Sequence, residues 1–369
     1  MSTRVITDNW SLQHVCELFI DGVSRDTAST IRVSGDKHHY DDISEAVIQT
    51  ETLFDLLTQI VLADEILIDA TYSYTWDTVD SPLHDLYRAK LIRPVQFLDS
   101  EAKFAGLRNH IVDRLCVTPS LTREHRQNVD SYDETGSSVN PFLASVLWGG
   151  AGMVARSSYF RTGYCPHPIR KRLFVEANLL LDGSRAFNRL ESVIHDKRLA
   201  LVRGSTPNDP VYSLQVLLPP IPARVIHESH SVSDFMETAI RLRDEYRLLR
   251  DWLRDAETAI DSGDATAIRK IDRVLDGIGR SGISAVIDDS SNTSLSINIG
   301  FLSFSIPINI GGVSKLFGAK AVMNKMVLGE TGHAALQRYS DLLDVSGTPT
   351  DHELQENFGN HRISPKMAE

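Results

Sequence analysis

Apolar residues recur at Val47, Phe54, Leu57 and Val61, with Thr50 in register. These three- and four-residue steps predict an amphipathic helix over residues 44–62. Residues 65–68 then read as a short strand. Ser81-Pro82 offers a cap followed by a first-turn proline, which starts a helix over 83–91. Residues 92–98 are strand-like, and Asp99 opens a helix carrying Ala102, Leu107, Ile111 and Leu115. This alternation predicts a mixed α/β layer in the first third of the chain.

The pattern changes after a polar stretch, 124–138, that lacks periodicity and ends in Glu134-Thr-Gly-Ser-Ser138. Residues 141–160 are apolar almost throughout, helices are expected near 173–181 and 185–201, and the prolines of 217–222 break them. Phe235, Ala239, Leu242, Tyr246, Leu249, Leu253, Ala256 and Ile260 alternate steps of four and three, which predicts one helix over 233–260, about 40 Å long at 1.5 Å per residue. Ser262-Gly263-Asp264 should fold a second helix, 265–278, back on it. Such a seam could instead face a second copy of the chain, a self-association reading. From Leu295 to Ile310 the period becomes two, interrupted near Gly300, as in a β-hairpin or meander with one apolar face.

The expected fold is therefore α+β and helix-rich. Its parts are a mixed α/β domain over 1–135, a helical domain with the long helix over 139–282, a β-hairpin with closing helices over 283–345, and a polar tail over 346–369.

Composition narrows the function classes. The 369 residues are 42% hydrophobic and 24% charged, which excludes a mostly disordered or collagen-like chain. A net charge of −11, from 38 basic and 49 acidic residues, argues against bulk coating of nucleic acid. Cys16, Cys116 and Cys165 are odd in number and widely spaced, fitting neither a disulfide framework nor a metal knuckle. Without a signal-like start or an 18-residue apolar run, a soluble cytoplasmic protein with no transmembrane segment is expected.

Charge is unevenly spread. No acid occurs between Glu134 and Glu176, yet Arg156, Arg161, Arg170, Lys171 and Arg172 fall there. Guanidinium forks match phosphate and carboxylate, so Arg156, Arg161, His167, Arg170 and Arg172 form a candidate ligand site for an anionic small molecule, a nucleotide or other phosphorylated compound. The alternative is that these cations pair with acids elsewhere in the fold. Gly150-Ala-Gly-Met-Val-Ala155 is a nominal GxGxxA, which fits phosphate approach or a tightly packed buried helix. His38-His39-Tyr40-Asp41-Asp42 carries metal-capable groups on adjacent, diverging side chains and reads as a solvated loop, so no metal site is assigned and no cofactor is indicated.

Val5-Ile6-Thr7-Asp8-Asn9, followed by Glu45, Glu51, Asp64, Glu65, Asp69 and Asp77, resembles the start of PIN-type ribonucleases, although the acid-Thr-Asn order of that family is absent. The resemblance implies a divalent metal held by carboxylates, with Asp8, Asp64 and Asp69 as the candidate catalytic set. Tyr164-Cys-Pro-His-Pro-Ile-Arg170, Pro219-Pro220, Arg241-Leu-Arg243 and Arg250-Asp-Trp-Leu253 resemble a group of uncharacterised bacterial proteins, which implies a bacterial cytosolic origin and no mechanism. Three classes stay open: a binding or regulatory protein for an anionic ligand, a metal-dependent ribonuclease, and a membrane-acting effector that inserts the uncharged hairpin.

Overall fold

The computed structural model describes residues 4–22, 45–78, 80–96, 102–117, 127, 130–131, 145–177, 220–271, 294–299 and 302–307. The chain divides into two compact units. One holds Ser2–Gly183 with His230–Ile240 and Gln355–Glu369, and the other holds Ser184–Ser229 and Arg241–Leu354.

The first unit is built on a parallel sheet. β1 (Arg4–Thr7) lies between β2 (Glu65–Asp69) and β4 (Gly163–Cys165), and β3 (Ile92–Val95) pairs with the outer side of β2. The unbroken apolar run Ile66-Leu67-Ile68 is buried, as expected of a parallel strand covered on both faces. Pro94 donates no hydrogen bond, and it falls on β3, at the sheet edge.

Successive residues of β1 point to opposite layers. Ile6 joins a core with Leu67 of β2, Phe104 and Ile111 of α5 (Ala102–Leu115), and Met153 of α6 (Gly150–Phe160). Thr7 points the other way, where its Oγ1 donates to Oε1 of Gln59 at 2.5 Å. Gln59 lies on α2 (Glu45–Leu62), which packs beside α1 (Asn9–Asp21). Two short helices, α3 (Ser73–Trp76) and α4 (His84–Arg88), link β2 to β3.

The helix expected over 44–62, the one opened by Asp99 and the strand expected at 65–68 appear as α2, α5 and β2. The expected boundary between 135 and 139 does not end this sheet. Residues 163–165 supply β4, and the helices on either side of β4 belong to the same unit. Gly150 explains part of the glycine pattern there. A Cβ on it would stand 3.0 Å from Phe174 Cζ and 3.4 Å from Arg170 Cδ, so α6 approaches α7 (Pro168–Glu176) only because that position is bare. At Gly150 the glycine thus serves packing, as in the buried-helix reading, whereas a Cβ on Gly152 would meet Arg108 Cδ at an ordinary 3.8 Å.

The helical region also differs from expectation. The prolines of 217–222 were expected to break helices, yet Pro220 and Pro222 occupy the first turn of α8 (Pro220–Glu228), where the missing N–H costs nothing. The single helix over 233–260 is two, α9 (Phe235–Glu245) and α10 (Arg247–Ser262), parted at Tyr246 with φ −88° and ψ 13°. The Arg250 guanidinium donates to the Arg243 carbonyl and so occupies a helical acceptor beside the break. Leu249, Leu253 and Ala256 of the apolar seam are buried.

Gly263, with φ 66°, ends α10. Its N–H reaches the Ile260 carbonyl at 3.1 Å while Asp264 N reaches that of Ala259 at 3.0 Å. Asp264 Oδ1 then accepts from Thr266 N at 2.9 Å and Ala267 N at 3.1 Å, capping helical residues 265–271. The rest of the expected partner helix lies outside the described residues. β5 (Ser294–Ile299) and β6 (Leu302–Pro307) pair antiparallel, with Ser294 opposite Pro307, as the period-two pattern predicts. The expected closing helices and polar tail lie outside the described residues. No helix among the described residues is long and apolar enough to cross a membrane.

Candidate functional site

In the strand order β3-β2-β1-β4 the chain steps from β1 outward to β2 and β3, then returns to the other side of β1 for β4. The carboxyl ends of β1 and β4 thus form the topological switch point, the usual ligand position in open parallel sheets. Asp8 directly follows β1, its N–H donating to the Cys165 carbonyl at 3.1 Å. His167 and Arg170 directly follow β4. The two chain segments that meet at the switch point therefore bring one acid, one cation and one imidazole together.

Asp8 is 0% exposed. It caps α1, with Oδ1 accepting from Trp10 N at 3.1 Å. Its Oδ2 accepts from Tyr164 Oη at 2.5 Å, Arg170 Nη1 at 2.6 Å and, more weakly, His167 N at 3.4 Å. Arg170 is also buried, and its guanidinium carbon stands 4.4 Å from the centre of the Trp10 ring. Burial alone would push the Asp8 carboxyl up. The Arg170 charge and the Tyr164 hydroxyl reverse this and hold it below the usual carboxylate range. Burial opposes the Arg170 charge as well, but Asp8 outweighs it and raises the guanidinium further. Tyr164 stays protonated, pushed well up by burial and by the adjacent Asp8 carboxylate.

His167 completes the cluster. Its Nδ1 accepts from Ile169 N at 3.3 Å, so a neutral ring carries its proton on Nε2. The ring meets Trp10 edge-on at 5.4 Å and His14 at 5.1 Å between centroids. Burial pushes its pKa down to about 3, the Asp8 carboxylate opposing and His14 and Arg170 reinforcing that shift. Nε2 is buried with no hydrogen-bond partner among the described residues.

On the opposite layer, Cys165 neighbours Asp55, which lies 3.7 Å from Lys171 Nζ. Burial and the Asp55 charge push the thiol well above its ordinary value, so it is not a ready nucleophile at neutral pH.

The residues singled out in the sequence fall into separate places. His167 and Arg170 of the basic segment meet, and the acid they meet is Asp8, drawn from the other candidate set. Arg161 lies at the opposite end of β4, exposed, with φ 51° at the end of α6. Arg156 sits on α6, with Nη1 3.2 Å from Met153 Sδ and its guanidinium 5.7 Å from the Phe104 ring centre. Arg172 is on α7.

Of the acids, Asp69 ends β2 at the same sheet edge as Asp8 and accepts from Thr71 N at 2.9 Å. Asp64 precedes β2, one strand length away, so the three carboxylates do not share one edge. Among the described residues no three His, Cys, Asp or Glu side chains are grouped to hold a metal ion. The histidines and acids of 38–42 lie outside the described residues. Trp10, His14 and Tyr164 were not recognised as site residues. Asp8 before an apolar series at Leu12, Val15 and Leu18 was the usable signal, because a helix starting there puts Trp10 and His14 one turn apart on one face. No protein-family model matches this chain, and neither a curated protein nor a solved structure matches it.

Proposed function

We propose that the chain is a binding protein whose α/β unit accepts an anionic small molecule, a nucleotide or other phosphorylated compound, at the switch point between β1 and β4. The observation that carries this reading is Arg170, a buried guanidinium at those strand ends with a carboxylate already on it. A ligand phosphate is chemically equivalent to that carboxylate as a partner for the fork. Binding is then an exchange, in which the ligand's oxygens take the place of Asp8 on Arg170. Calorimetry of the full chain with inorganic phosphate, AMP, ADP and ATP tests it. At least one should bind, and Arg170→Gln should abolish that binding while the circular dichroism spectrum is kept. Binding by none of them at millimolar concentration, or binding indifferent to Arg170→Gln, would remove the reading.

A second reading keeps one observation in its favour: Asp8 and Asp69 end neighbouring parallel strands at one edge. A metal-dependent ribonuclease would need Arg170 to leave Asp8 so that a divalent ion could bridge these carboxylates. RNA cleavage that requires Mn²⁺ and is lost in Asp8→Asn supports it. Inert wild-type protein ends it.

A further inference from the structure

The anion-exchange reading leaves one buried group without a task. His167 is 1% exposed, its Nδ1 is committed to Ile169 N, and its Nε2 meets no partner among the described residues. An imidazole N–H taken out of water and left unpaired is unfavourable, and such groups in folded proteins are normally satisfied. The ring is not free to turn. Trp10 and His14 of α1 hold it from one side, and the bond to Ile169 fixes it to the first turn of α7. Nε2 is therefore the ring nitrogen left to meet a ligand. Trp10 is also the ring over which Arg170 lies, so one indole positions both the cation and the imidazole.

We propose that His167 is a ligand-binding residue whose Nε2–H donates a hydrogen bond to an oxygen of the phosphate group held by Arg170. This rests on the anion-exchange reading and adds to it the donor set. Arg170 supplies the charge, and His167 supplies a neutral donor of fixed direction. A second cation there would repel Arg170, whereas the uncharged ring does not. Burial keeps the ring uncharged, since its pKa is about 3.

The test uses the full chain with ¹⁵N-labelled histidine and inorganic phosphate as the probe. On phosphate addition the Nε2 resonance of His167 should move, while Nδ1 keeps the shift of an unprotonated acceptor. In calorimetry His167→Phe should weaken phosphate binding by ~10-fold or more, the loss expected for a hydrogen bond to a charged group. His167→Gln, whose amide N–H extends to about the same position, should recover most of it. Phosphate binding that depends on Arg170 but leaves Nε2 unmoved and is equal in wild type and His167→Phe overturns this inference while sparing the anion-exchange reading. Absence of phosphate binding to the wild type overturns the inference as well. If His167→Phe does not fold, the wild-type resonance shift alone decides.

Discussion

Replacing Arg170 with methionine keeps an unbranched stem beside Gly150, where the arginine Cδ would lie 3.4 Å from an added Cβ, but deletes the guanidinium. Asp8 would then remain 0% exposed with its cation gone and only neutral donors left, from Tyr164, Trp10 and His167. Breaking a buried pair from one side costs about 3–5 kcal/mol, because the other charge stays desolvated. Loss of the contact over Trp10, 4.4 Å from the ring centre, adds about 0.5–2 kcal/mol. Asp8→Asn keeps a side chain that caps helices comparably but strands the buried Arg170 guanidinium without its anion, so it should cost a similar amount. In the double variant no unpaired carboxylate remains, so its loss should fall at least 1 kcal/mol short of the summed single losses.

Native-state hydrogen exchange at the Ile6 and Tyr164 amides reports this locally, a useful choice in a chain of two compact units. An Arg170→Met loss below ~0.5 kcal/mol, or strict additivity in the cycle, would refute the claim that the pair joins β1 to α7.

Acid should weaken the α/β unit before it protonates Asp8. Unfolded His167 takes up a proton near 6.5 but the folded ring, facing Asp8, His14 and Arg170, does not until about 3. The unfolded state then binds more protons in that window, so stability should fall by up to ~1.4 kcal/mol per pH unit below 6.5. Asp8 adds its own loss only below 3.8, since its carboxyl titrates under that value when folded. Denaturant midpoints of wild type and His167→Gln between pH 7 and 4.5 check this, and an identical slope in both would contradict it. Gly150→Ala should destabilise by about 1–3 kcal/mol, because its Cβ would lie 3.0 Å from Phe174 Cζ; a melting temperature unchanged from wild type would count against that packing. Leu249→Ala, a truncation at a 1% exposed seam position, should cost about 2–5 kcal/mol at constant mass in light scattering, whereas dissociation to a stable monomer would make the seam an interface between copies.

Long elements with clear periodicity were legible. α2 and α5 each show three or more turns of apolar spacing, and β2 is a pure apolar run between acids. β4 was not, because three residues that begin at a glycine and run into a Pro-His-Pro turn are too few to display any period. Its absence from the sequence reading also hid the tie between residues 163–165 and the first strands, which only pairing with β1 supplies. Tyr246 kept the seam's spacing, so the break between α9 and α10 was invisible to a pattern of apolar positions.

At the site, the acid-free segment drew attention to His167 and Arg170, and the apolar pair before Asp8 drew attention to Asp8. Nothing local could show that Asp8 and Arg170, 162 residues apart, neutralise each other, because that contact is a product of strand order.

The exchange at Arg170 is tested most directly by the affinity of Asp8→Asn for inorganic phosphate. If a ligand phosphate replaces the Asp8 carboxylate on Arg170, removing the competing charge should tighten binding by ~10-fold or more relative to wild type, measured by calorimetry at constant ionic strength. Binding that is unchanged or weaker in Asp8→Asn, with β1 and α7 still protected from hydrogen exchange, would contradict it.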